Sequence, residues 1–152
     1  MSLNFSTGLR TGMLNSTGVK EAFTNGIIYL YSGVQPVTAD AAITGTLLGK
    51  VTVDAGAFAF GAATNGLNFD TAVAGVLAKA VAENWQCVCT AAGTIGWFRM
   101  MGNATDALGV STTLARIDGD AAVSGADLNI PTLAVIIGTP ITIDVFTFDL
   151  PA

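Results

Sequence analysis

The chain has 152 residues, enough for one domain, of which 51% are hydrophobic and only 11% charged, with a net charge of −5. Histidine is absent, and it is the one side chain whose unperturbed pKa lies near neutrality, so most acid–base catalysis at pH 7 is excluded. Arg10, Lys20, Lys50, Lys79, Arg99 and Arg116 are scattered singly, which excludes a clustered basic grip on nucleic acid.

Residues 1–25 read as a separate, partly helical arm. Ser6 is positioned to cap a short segment with Leu9 and Met13 four apart. Thr17 is positioned to cap a second, with Val19 and Phe23 similarly spaced, Glu21 near its start and Asn25-Gly26 closing it. Gly8 and Gly12 weaken the first segment by roughly 1 kcal/mol each relative to Ala. The arm is therefore expected to gain order by lying on another surface, with Leu3, Phe5, Leu9, Met13 and Leu14 making intersubunit contact. Met1 to Leu14 has no continuous apolar core, so it does not read as a signal peptide, and the chain is expected to be made and kept in the cytoplasm.

From residue 26 to 152 the apolar period is two. Ile27 to Tyr31 is a strand rich in β-branched and aromatic residues, ended by Ser32-Gly33 and Pro36. Thr46 to Val53 follows as a second. Phe58 and Phe60 flank Ala59 before a turn at Thr64 to Leu67. Gly75 to Ala82 reads as a strand; its alternative, a helix from Val76 to Ala82, is disfavoured by Gly75 and by the strand that follows. Glu83 to Thr90 and Thr94 to Met101 are expected to pair as a hairpin around Ala91-Ala92-Gly93. Thr112 to Ile117 is another strand, followed by a polar loop from Asp118 to Asn129. The chain closes with Leu133 to Ile137, too short to span a bilayer, and Ile141 to Leu150. No membrane contact is expected. Nine or ten short strands with short turns give an all-β class, the pattern of an antiparallel β-sandwich or barrel, with the sandwich expected.

The residues that carry chemistry elsewhere lack their partners here. Asp118, Asp120 and Asp127 form the densest acidic cluster, yet without the full aspartate run and closing glutamate of an EF-hand, so a solvated loop is expected in place of a calcium site. Gly56 and Gly61 have P-loop spacing, but Ala62-Ala63 stand where Lys and Ser or Thr are required. Cys87 and Cys89 fall on one face of a strand, and no further Cys or His completes a zinc site. No metal or cofactor is expected. Tyr29, Tyr31, Trp85, Trp97 and Phe98 read as core or interface anchors before sugar platforms.

Ile28 to Ala42 with Thr44 to Leu48, Ala62 to Phe69 and Gly93 to Arg99, together about a quarter of the chain, resemble small structural proteins of tailed bacteriophages. The resemblance implies a virion component, and at this size a capsid decoration or cement protein, with a jelly-roll-like sandwich, a homotrimeric state and the major capsid protein as partner. It transfers no individual functional residue, because the matching stretches read as strands and turns. The expected function is stabilisation of the head on the capsid surface. The alternatives are a neck, tail or baseplate component and, from another class, a host-glycan-binding module that uses Trp85 or Trp97.

Overall fold

A computed structural model describes residues 3–149; residues 1, 2 and 150–152, including Leu150 at the expected end of the last strand, lie outside the described residues. In chain order the elements are β1 (Asn4–Phe5), α1 (Thr7–Asn15), α2 (Val19–Ala22), β2 (Ile27–Ser32), β3 (Leu47–Val53) and β4 (Val76–Ala78). There follow β5 (Trp85–Val88), β6 (Gly93–Met101), β7 (Arg116–Ala122), β8 (Leu128–Asn129), β9 (Ala134–Val135), β10 (Pro140–Ile143) and β11 (Thr147–Asp149). The protein is all-β in character, and its strands pair antiparallel except for the short parallel contact of β8 with β7.

One large sheet runs β1-β7-β6-β2-β3-β5-β10, with β8 beside β7 and β9 beside β6, and a second sheet pairs β11 with β4. Strand β2 lies at the centre, and its two faces explain why. Ile28 and Leu30 enter the main core with Val51, Trp85, Ile117 and Phe146. Ile27, Tyr29 and Tyr31 form a second buried cluster with Trp97 and Met101 on the opposite face. A strand apolar on both sides is stable only where both sides are covered. The small sheet covers the first face, since Leu77 of β4 and Phe148 of β11 belong to the main core.

Three sequence expectations differ from the structure. The hairpin of Glu83 to Thr90 with Thr94 to Met101 does not form: β5 pairs with β3 and β10, whereas β6 lies between β2 and β7. Strand β6 buries Trp97 and Met101 on one face and Phe98 and Met100 on the other, so it takes a central place with long neighbours on both edges. The final strand breaks at residues 144–146. Its first half, β10, pairs with β5 in the large sheet, and its second half, β11, pairs with β4 in the small one, so the chain crosses between sheets at Phe146. Finally, the loop expected from Asp118 begins too early. Asp118 to Ala122 belong to β7, where Asp118 to Asp120 pair with β6 and Ala121 and Ala122 pair with β8, and the turn spans only 123–127.

Where strands approach closely the sequence supplies glycine. Gly45 has a φ of +79°, and a Cβ there would lie 1.9 Å from the Ser32 carbonyl oxygen at the irregular end of the β2–β3 pairing. Gly49 is constrained less severely and by a side chain, because a Cβ would stand 2.9 Å from Cys87 Sγ.

Candidate interaction surface

The N-terminal segment is held by its own body. Asn4 and Phe5 of β1 pair with Asp118 and Ile117 of β7. Ser6 is wholly buried, where its hydroxyl donates to the Leu114 carbonyl (2.8 Å) and accepts from the amides of Leu9 (3.1 Å) and Arg116 (2.9 Å). It therefore caps α1 and stitches it to β7 at once. Thr7 donates from its amide and its hydroxyl to the Asp40 carboxylate, at 2.8 and 2.6 Å. In α2 the amide of Gly18, the actual cap in place of Thr17, donates to the Glu21 carboxylate (3.1 Å).

These anchors divide the five residues expected to meet a neighbouring subunit. Leu9 is buried in its own core and is not available to a partner. Leu3, Phe5 and Met13 are half-buried and line an open apolar groove of about 380 Å³ with Val19, Leu77 and Phe148. Leu14 stands outside it, 88% exposed at the C-terminal end of α1. Lys20 and Asp149 also border the groove and carry its charges. Sequence periodicity alone did not separate Leu9 from Met13, because the Ser6 network that fixes the helix orientation draws on residues more than a hundred positions away.

Two buried ion pairs hold the loops around this segment. Arg99 of β6 donates from Nε and Nη2 to both oxygens of Asp118, its cross-strand neighbour on β7, at 2.7 Å each, and from Nη1 to the Ala41 carbonyl (3.1 Å). Arg116 makes the same forked contact with Asp106 and donates to the Gly109 carbonyl (2.8 Å). All four side chains are essentially inaccessible. Such bidentate pairs fix planar geometry as well as charge. They tie the 39–41 and 106–109 stretches to the sheet, beside the Thr7–Asp40 contact.

The acidic cluster is accordingly dispersed. Asp118 faces Arg99, while Asp120 and Asp127 bracket the turn after β7: the Asp127 amide donates to Asp120 (3.0 Å) and the Asp120 amide to Asp127 (3.3 Å). Burial, followed by contact with Asp120, holds the Asp127 carboxyl above the usual carboxylate range. Among the described residues no three metal-ligating side chains converge. Comparison with protein families, with characterised proteins and with solved structures finds no match. The site therefore has to be read from its own chemistry.

That chemistry is apolar. Among the described residues Leu14, Val34, Val37, Val73, Val81, Val110 and Ile137 are each at least 72% exposed. Trp85 and Trp97, by contrast, are wholly buried and offer no platform to a sugar. The thiols of Cys87 and Cys89 are buried side by side against Gly49. Burial first, then the neighbouring Cys89, pushes the Cys87 thiol up to about 12. A folded-state pKa above the unfolded value of about 8.5 means that the native state holds the proton more tightly. Its stabilising contribution is complete below about pH 8.5 and is lost as pH rises towards 12. Urea midpoints measured from pH 8 upward should therefore fall more steeply for the parent protein than for Cys87→Ala; parallel curves would contradict the assignment.

Proposed function

We propose that the chain is a structural protein of a tailed-bacteriophage virion: a capsid decoration or cement protein, jelly-roll-like and homotrimeric, that binds the major capsid lattice and stabilises the head. It has no catalytic role, is made in the host cytoplasm and resides on the capsid surface. The phage part of this reading rests on the resemblance of the Ile28 to Leu48, Ala62 to Phe69 and Gly93 to Arg99 stretches. The assembly part rests on one observation, the poverty of charge on an apolar surface. Four of the 17 charged side chains are engaged in the buried pairs, and of the other thirteen Asp40, Lys79, Glu83, Asp120 and Asp127 are half-buried. Exposed aliphatic side chains and the groove beside α1 fill the place of the missing charges. The groove is continuous apolar surface, and such surface marks association sites. Many modest contacts, multiplied by trimerisation, then give firm attachment.

Deleting residues 1–14 does not test this reading, because it removes Ser6 and Leu9 from the core. Leu14→Glu does, since the side chain is 88% exposed. The variant should retain the parent's stability to within about 0.5 kcal/mol. In a pull-down on capsids lacking the protein, its binding should weaken by about tenfold or more, the loss of one buried Leu. Undiminished decoration would remove α1 from the interface.

A further inference from the structure

A second concavity lies away from the groove beside α1. Its floor is the face of the large sheet formed by β2, β3 and the end of β5; its roof is the loop of residues 55–60. It encloses about 500 Å³, within the range of sites that hold a ligand or a few side chains. Tyr29, Phe58, Phe60 and Val88 supply apolar walls, with Phe58 and Phe60 edge-to-face at 5.2 Å. Lys50, Thr52, Thr90 and the Tyr29 hydroxyl are its polar side-chain groups.

The roof is pre-formed. Asp54 and Ala55 both take left-handed backbone angles, φ 53°, and hydrogen bonds hold them there: Asp54 amide to the Asn84 carbonyl (2.8 Å) and Gly56 amide to the Val53 carbonyl (2.9 Å). The Thr52 hydroxyl donates to the Gly56 carbonyl (2.8 Å), and the Asn65 side chain donates to the Ala57 carbonyl (2.7 Å). A cavity whose wall is fixed in advance loses little ordering entropy on binding.

Its charge is one-sided. Lys50 sits directly across from Tyr29 in the strand register, with Nζ 5.0 Å from the ring centroid. Among the described residues no carboxylate lines the cavity and Lys50 makes no ion pair, in a chain whose net charge is −5. The complementary ligand carries one negative charge beside an apolar or aromatic body. A sugar is met by few side-chain groups: the Thr52 hydroxyl is already engaged, which leaves Lys50, Thr90 and the Tyr29 hydroxyl for its many hydroxyls. Polar groups buried without partners oppose binding.

We propose that this groove docks a segment of a partner protein in which a carboxylate stands beside aromatic or branched apolar side chains. The ammonium of Lys50 meets the carboxylate, and Phe58, Phe60 and Val88 receive the apolar groups. The site is distinct from the surface beside α1 and does not depend on the particle to which the protein belongs.

The test is amide NMR on the labelled full chain, titrated with acetyl-Ala-Phe-Glu-Phe-Ala-amide and with the same peptide carrying Lys for Glu. The acidic peptide should shift amides at residues 50, 55–60 and 88–90, and bind about tenfold or more tightly than the basic one, as expected from replacing a like-charge contact by an attractive pair. Lys50→Gln should erase that preference and Lys50→Glu should invert it, while the exposed position leaves the rest of the spectrum unchanged. Equal binding of both peptides, shifts located elsewhere, no response, or a preference unaffected by Lys50→Glu would each overturn the proposal. So would the same shifts produced by glucuronate in the absence of any peptide response.

Discussion

Replacing Asp118 by Ala should lower stability by about 3–5 kcal/mol, seen as a large drop in the urea midpoint. The substitution leaves the Arg99 guanidinium buried without its carboxylate, with the Ala41 carbonyl and the Trp97 ring as remaining partners. The expected asymmetry is diagnostic. Replacing both partners together, Arg99→Met with Asp118→Leu, should recover most of the loss, because two apolar side chains of similar volume avoid the desolvation of two charges. A drop below about 1 kcal/mol for Asp118→Ala would mean that the pair is solvated and that the β6–β7 core is looser than described.

The second large effect is expected at Trp85. Its ring packs edge-to-face on Phe69 at 5.5 Å and against Phe146 at 5.8 Å, and its Nε1 donates to Glu83 (2.8 Å). Trp85→Ala should cost about 3–5 kcal/mol. It also leaves Glu83 with only the Asn68 side-chain and amide donors. Trp85→Phe, which keeps the aromatic contacts and loses the hydrogen bond, should cost less. A Trp85→Ala protein as stable as the parent would place this residue outside the core, and only then would a role in sugar binding return.

Much of the sheet was legible in the sequence, for a local reason. Strands β2 and β3 announce themselves by β-branched and aromatic residues between glycine and proline stops, and the Ser6 cap of α1 is a contact three residues long. What was not legible is what depends on distant parts of the chain. Asp118 reads as the opening of a polar loop, and Arg99 as one more isolated cation, until β6 and β7 pair and set them opposite one another. One signal did exist: Arg99 interrupts Trp97-Phe98 and Met100-Met101, and a charge inside so apolar a strand requires a buried partner. The failed β5–β6 hairpin has a similar origin. Ala91-Ala92-Gly93 is a plausible turn, but β6 is apolar on both faces and is better covered between β2 and β7.

The apolar groove beside α1 was half legible. Leu3, Phe5 and Met13 stand out as apolar residues of the N-terminal segment, whereas Leu77 and Phe148 come from strands more than sixty residues away and carry no local mark. The groove under the 55–60 loop leaves no local mark in the sequence, because Lys50 and Tyr29 become neighbours only through the β2–β3 register.

The most direct test of the central claim is the number of copies of this chain in purified phage particles, measured by quantitative mass spectrometry against the major capsid protein. A lattice-binding cement protein should approach the abundance of that capsid protein. Absence from the particle, or a ring's worth of copies at the neck or tail, would contradict the account.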